Sequence, residues 1–129
     1  MEINVLDATD VVAVLVVDDQ DAFRTAAKFL VGLTPGWEVA GEAESGEQGV
    51  SLASSLHPSI VLMDVNLPGI SGIEATAQIT AADPSVKVIL MSTYAAADLP
   101  AEAATCGAAG YIRKDDMTPD GLQALIASV

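Results

Sequence analysis

Three carboxylates lie directly after apolar segments of the sequence. Asp18 and Asp19 follow the run VVAVLVV, residues 11–17, and Asp64 ends the run SIVLMD, residues 59–64. If the segments are neighbouring strands, the carboxylates meet and repel one another unless a cation lies among them. Mg²⁺ favours oxygen ligands and keeps part of its water shell, so these residues predict a magnesium site.

Two later apolar segments end in groups that complement such a site. Ser92 ends the run VKVILMS, and Lys114 ends the run AGYIRK. A metal-bound carboxylate beside a hydroxyl and an ammonium group is arranged to receive a phosphoryl group. The metal ion and the ammonium would both offset negative charge on the transferring oxygens. A turn at Pro68-Gly69 would free the space above Asp64 and direct the backbone carbonyl of Asn66 toward the metal.

Each of these residues also has a purely structural interpretation. A pair of aspartates after a strand is often a helix N-cap, and a serine at a strand end is often a turn former. A lysine at the end of a strand is usually a solvated charge. Their coincidence at the ends of several strands is what favours a site.

The hydrophobic pattern predicts elements that would bring these residues together. Apolar and β-branched runs predict five strands, over residues 11–17, 37–43, 59–64, 86–92 and 109–114. Helical spacing and capping residues predict helices between and after them: 21–33, one opening at Ser45, one opening at Ser71, a short Ala-rich one between Asp98 and Gly107, and one opening at Thr118. This alternation predicts an α/β fold, a doubly wound five-stranded parallel sheet with helices on both faces. All strand ends then share one edge, where ligands bind.

The bulk composition restricts the class of protein. The chain has 129 residues, 51% of them hydrophobic, which predicts one domain over residues 11–129 preceded by an extension, 1–10. The longest apolar run, 11–17, is too short to cross a membrane, and one cysteine with no signal-peptide pattern predicts a cytoplasmic protein. A net charge of −13 argues against direct nucleic-acid binding. Arg24 and Lys28, one helical turn apart, predict a small basic spot, either solvated or in contact with a kinase or a second protomer.

Four segments together resemble the receiver domain of bacterial two-component response regulators, over nearly the whole chain from Val11. They are VLVVDD, VLMDVNLPGISG, the strand-end Ser92 and GAAGYIRK. The resemblance implies a flavodoxin-like strand order and phosphorylation by a histidine kinase or phosphotransfer protein. GAAGYIRKDD is similar to receivers attached to LuxR-type helix-turn-helix domains, which implies the receiver part of a transcription regulator.

The resemblance also implies a role for each site residue. Asp64 matches the phosphoacceptor, Asp19 the direct Mg²⁺ ligand, and Asp18 a ligand acting chiefly through water. The carbonyl of Asn66 matches the third protein ligand of the metal.

Three further positions match the residues that sense the phosphoryl group. Ser92 matches the hydroxyl that turns toward it, Lys114 the lysine that contacts it, and Tyr111 the switch aromatic. We expect the face made by residues 98–120 to change on phosphorylation and to bind a partner or form a homodimer. Many receivers have a proline joined by a cis peptide where this chain has Asp115, so the isomer of that bond stays open.

Alternative functions remain at this point. A haloacid-dehalogenase-like aspartyl-phosphate hydrolase needs a second acid two residues after the first, where this chain has Asn66. A flavin-binding module needs a phosphate-cradling loop where this chain has Asp18 and Asp19. Two further alternatives are receivers. One is a stand-alone receiver that acts through protein contacts or in a phosphorelay, and the other is a degenerate receiver that works unphosphorylated. The abrupt ending LIASV favours a fragment of a transcription regulator.

Overall fold

The computed structural model describes residues 11–127, so the predicted extension, 1–10, lies outside the described residues. Within the described residues there are five strands: β1 (Val12–Val17), β2 (Trp37–Ala43), β3 (Ile60–Asp64), β4 (Lys87–Ser92) and β5 (Gly110–Arg113). Four α-helices connect and follow them: α1 (Asp21–Leu33), α2 (Gly46–Leu56), α3 (Gly72–Ala82) and α4 (Pro119–Ala127). Each predicted strand is therefore confirmed to within about a residue at either end.

The five strands form one parallel sheet in the order β2-β1-β3-β4-β5. This is the flavodoxin-like order, and it confirms the predicted doubly wound fold. The strand order reverses between β1 and β3, and a crevice opens there at the carboxyl ends of the strands. The two strands that end in aspartates are the two that flank this crevice.

Alternate side chains of the strands enter two separate apolar layers. Along β1, Leu15 and Val17 pack toward α2 and α3, whereas Val14 and Val16 pack toward α1 and α4. The central strand β3 is buried along its whole length, which explains why its sequence is a continuous apolar run. No helix within residues 11–127 is long and apolar enough to cross a bilayer.

Two predicted helix starts carry the expected side-chain caps. The hydroxyl of Ser45 accepts a hydrogen bond from the backbone N–H of Gln48, and that of Ser71 accepts one from Glu74. In a capping box, the side chain three residues after the cap also accepts a hydrogen bond from the backbone N–H of the cap residue. At both sites that side chain has a different donor. The Gln48 side chain accepts from the N–H of Glu44, one residue before the cap, and the Glu74 side chain accepts from Gln78.

The Ala-rich helix predicted between Asp98 and Gly107 is not an α-helix. Two 3-10 turns, Ala96–Asp98 and Ala101–Ala104, take its place. Pro100 separates them, and no residue from 93 to 105 is fully buried. Leu99 and Ala103 are half-buried against the apolar core, which is a small face on which to anchor a longer helix. We call residues 93–105 the 3-10 segment.

Candidate functional site

The predicted acids meet at the crevice between β1 and β3. Asp18 and Asp19 follow the last residue of β1, and Asp64 is the last residue of β3. One carboxylate oxygen from each lies within 4.8 Å of the others. Asp18 and Asp64 are buried and Asp19 is exposed. An all-oxygen set that is open to solvent on one side suits a hard divalent cation such as Mg²⁺.

Asp18 is held on both carboxylate oxygens. Its Oδ1 accepts a hydrogen bond of 2.8 Å from the backbone N–H of Gln20, and its Oδ2 accepts one of 2.7 Å from the ammonium of Lys114. The side chain is fully buried. Asp18 is therefore fixed in orientation, which leaves the exposed Asp19 as the acid freer to bind an ion directly.

Lys114 lies just after β5 and reaches across the crevice. Its Nζ is 2.7 Å from Asp18 Oδ2 and 3.5 Å from Asp64 Oδ1, and 10% of the side chain is exposed. Asp18 and Lys114 are 96 residues apart in the sequence. The parallel sheet brings them together by aligning the ends of β1 and β5 along one edge.

The surroundings of Asp64 disfavour its ionised form. Burial is the main cause, followed by the charge of Asp18, and together they raise the pKa of Asp64 to about 6 despite the opposing effects of Lys114 and the Asn66 backbone. Because ionisation of this carboxyl is unfavourable, a nearby cation would stabilise its charged form. A divalent ion between Asp18 and Asp64 would remove much of this cost.

The chain turns away sharply after Asp64, as the sequence predicts. Gly69 takes a left-handed φ of +74°, and Gly72 packs so closely that a Cβ there would lie 1.9 Å from the Asp64 carbonyl oxygen. The N–H of Ile70 donates to Glu47 of α2, which secures the loop. The turn leaves Asn66 exposed at the rim of the crevice.

A cleft of about 270 Å³ lies over the acids. It brings together seven residues from four of the strand ends: Asp19, Gln20, Asp64, Asn66, Ser92, Thr93 and Lys114. Ser92 is buried, and its hydroxyl accepts a hydrogen bond from the N–H of Tyr94. All the predicted metal and phosphoryl ligands except the buried Asp18 therefore line one small cleft.

Tyr111, the predicted switch aromatic, lies outside this cleft. It is half-buried on β5, and its hydroxyl donates to the backbone carbonyls of Ser92, at 3.4 Å, and of Tyr94. Tyr111 lines a small surface cavity together with Ala96 and Leu99 of the 3-10 segment. Tyr111 is thus joined to the cleft through the chain that follows β4.

The Lys114–Asp115 peptide is trans.

Arg24 differs from the prediction of a basic surface spot. Its side chain is buried, its Nη1 donates to the backbone carbonyl of Asp18 at 2.8 Å, and its other nitrogens bind Glu42 and Asp21. Lys28 binds the second oxygen of Glu42, so both cations are paired. Hydrogen bonds from Lys28 and Arg24 lower the pKa of Glu42. The partner strand β2 is remote in sequence, so local spacing could not reveal this network.

Comparison with known proteins agrees with the geometry. The family described as "Response regulator receiver domain" matches residues 14–127. The chain belongs to this family. A receiver domain is a signalling switch rather than a conventional enzyme, and the hydrolase alternative is not favoured.

The chain is similar to several curated response regulators. The chain is 38% identical over 114 residues to the response regulator GacA of Pseudomonas viridiflava, covering 88% of this chain and 53% of that protein. It is 37% identical to the nitrate/nitrite response regulator protein NarL of Escherichia coli (strain K12), covering 87% and 52%. The chain thus spans about half the length of these curated relatives.

Solved structures show the same fold. A LuxR-family two-component response regulator from Aurantimonas sp. SI85-9A1 superposes with a TM-score of 0.82 at 30% identity, covering 92% of this chain and 84% of that one. The signal receiver domain of the putative response regulator NarL from Mycobacterium tuberculosis has a TM-score of 0.82 at 29% identity, covering 92% and 96%. The comparisons therefore confirm the predicted receiver family and the predicted similarity to LuxR-type regulators.

Proposed function

We propose that this receiver accepts a phosphoryl group on Asp64 from a histidine kinase or a phosphotransfer protein and so acts as the input switch of a transcription regulator. The observation that carries the proposal is the position of Asp64. It ends the buried central strand at the crevice, beside two further acids and the ammonium of Lys114.

Asp19, Asp64 and the Asn66 carbonyl would hold Mg²⁺ directly, with Asp18 acting chiefly through water. The burial of Asp18 and its two hydrogen bonds support that division, because its oxygens are already engaged. When bound, the ion would offset negative charge on the phosphoryl oxygens. Asp64 would then be held as the carboxylate, the form that acts as a nucleophile.

In the transfer, a carboxylate oxygen of Asp64 attacks the phosphorus of a phosphohistidine. An O–P bond forms, the N–P bond breaks, and the imidazole nitrogen keeps the electron pair and takes a proton from solvent water. Lys114, already 3.5 Å from Asp64 Oδ1, neutralises one phosphoryl oxygen. After the transfer, Ser92 turns its hydroxyl toward another phosphoryl oxygen.

The movement of Ser92 would be read out by Tyr111 and the 3-10 segment. Turning the Ser92 hydroxyl toward the phosphoryl group breaks its contact with the N–H of Tyr94. The carbonyls of Ser92 and Tyr94 also accept from Tyr111, so the loop and the ring move together. The surface over residues 98–120 would change as a result and bind a partner or a second copy of the chain.

Acetyl phosphate, a small phosphoryl donor, tests the proposal without a cognate kinase. In the presence of Mg²⁺, intact mass should rise by one phosphoryl group in the wild type and stay unchanged in Asp64→Asn. Ser92→Ala should still be phosphorylated, because its role follows the transfer. Equal labelling of Asp64→Asn and the wild type would remove the proposal.

A further inference from the structure

The ammonium of Lys114 has a third neighbour besides the two carboxylates. Its Nζ lies 4.2 Å from the centroid of the Phe23 ring, over the ring face. A cation within about 6 Å of an aromatic face is attracted to the negative potential of the ring. Phe23 belongs to the first turn of α1, the helix that begins three residues after Asp18.

We propose that Phe23 is a positioning residue for phosphorylation: its ring holds the ammonium of Lys114 at the carboxylate edge of the cleft. This inference rests on the proposed function, since it concerns how Lys114 reaches the phosphoryl group on Asp64. Phe23 touches none of the reacting atoms and acts only through Lys114.

The geometry supports a role beyond filling space. Lysine carries its charge on a flexible four-carbon stem, which by itself has many orientations. Asp18 lies on one side of the ammonium at 2.7 Å, and the Phe23 ring covers another side. Only 10% of the Lys114 side chain remains exposed. The acid and the ring together keep the charge beside Asp64 before any phosphoryl group arrives.

An ordinary packing role is the competing explanation. Phe23 also packs, half-buried, against the apolar layer that includes Ala27 and Val31. A ring that only fills this layer could be replaced by another apolar side chain of similar size with no effect on Lys114. The two explanations therefore differ in the effect that they predict for Phe23→Leu on Lys114.

The chain offers a matched control for that substitution. Its second phenylalanine, Phe29, lies on the same helix with 67% of its surface exposed. Phe23→Leu and Phe29→Leu make the same chemical change, but only the first removes a ring from Lys114. Phe23→Tyr keeps the ring face, and Phe23→Met fills the volume without one, should Phe23→Leu fail to fold.

Two measurements separate positioning from packing. Phosphorylation by acetyl phosphate and Mg²⁺ should slow about fivefold in Phe23→Leu and Phe23→Met and stay near the wild-type rate in Phe29→Leu and Phe23→Tyr. By NMR, the ε-CH₂ protons of Lys114 should lose their upfield ring-current shift in the same two slow variants only.

A double-mutant cycle tests whether Phe23 acts through the lysine. In a Lys114→Ala background, Phe23→Leu should cause no further slowing. Slowing in that background, or equal rates for Phe23→Leu and Phe29→Leu in the native background, would overturn the inference while leaving the proposed function in place. A wild type that acetyl phosphate fails to label would instead overturn both.

Discussion

The surroundings of Asp64 change the proton affinity of its carboxyl group. The folded protein holds the proton of this carboxyl up to about pH 6, whereas an unfolded chain releases it near the ordinary pKa of 3.8. At this carboxyl the folded state therefore binds more protons in this interval, so the contribution of Asp64 to the free energy of unfolding falls as pH rises from about 4 to about 6 and stays lower above that.

Replacing Asp64 with asparagine should remove this penalty. In metal-free buffer at pH 7, we expect Asp64→Asn to be more stable than the wild type by on the order of 2 kcal/mol, with the difference shrinking toward pH 4. Chemical unfolding in EDTA across this pH range measures it. Asp98→Asn, an exposed acid outside the cleft, is the control. A stability difference that is independent of pH would show that ionisation of Asp64 is not the cause.

The secondary structure elements show which parts of the fold could be predicted from sequence. β1 and β3 are recognisable because a strand buried on both faces must be a continuous apolar run, as in VVAVLVV and SIVLMD. Their aspartates could be placed together because parallel strands end at one edge. The contacts of Phe23 with Lys114 and of Arg24 with Glu42 could not be predicted, since each joins residues on different elements of the fold. The helix predicted between Asp98 and Gly107 is replaced by 3-10 turns, because alanine content favours a helix whereas the extent of burial, which decides the outcome, cannot be read from local sequence.

The 3-10 segment should be the element that responds to phosphorylation. With no buried residue between 93 and 105, few contacts oppose its opening. We expect rapid amide exchange there in the resting protein and slower exchange from Ser92 to Arg113 with beryllofluoride and Mg²⁺. Ser92→Ala should reduce this response, because it lacks the hydroxyl that draws the loop inward. Identical exchange with and without the mimic would contradict the readout through Tyr111.

At the scale of the whole molecule, negative charge favours the binding of a divalent ion at the site. The chain carries a net charge of −13, and three of its acids converge at the cleft. A divalent ion that binds the folded state alone stabilises it by mass action. At ten times its Kd, Mg²⁺ should add about 1.4 kcal/mol, or roughly 5 °C in Tm for a domain of this size.

Thermal melts with and without Mg²⁺ measure this stabilisation. Asp19→Ala should lose most of the increase in Tm, because the exposed acid is the one we expect to bind the ion directly. Asp98→Ala, which removes one negative charge elsewhere, should keep it. An equal response of the two variants would mean that Mg²⁺ acts on overall charge rather than at the cleft.

The central claim is that Asp64 carries the phosphoryl group, and trapping the acyl phosphate tests it most directly. Borohydride reduces an aspartyl phosphate to homoserine, which peptide mass spectrometry locates to a residue. After treatment with acetyl phosphate and Mg²⁺, we predict homoserine at position 64 and at no other aspartate, with none in Asp64→Asn. Homoserine at Asp18 or Asp19, or none at all in a labelled wild type, would contradict the claim.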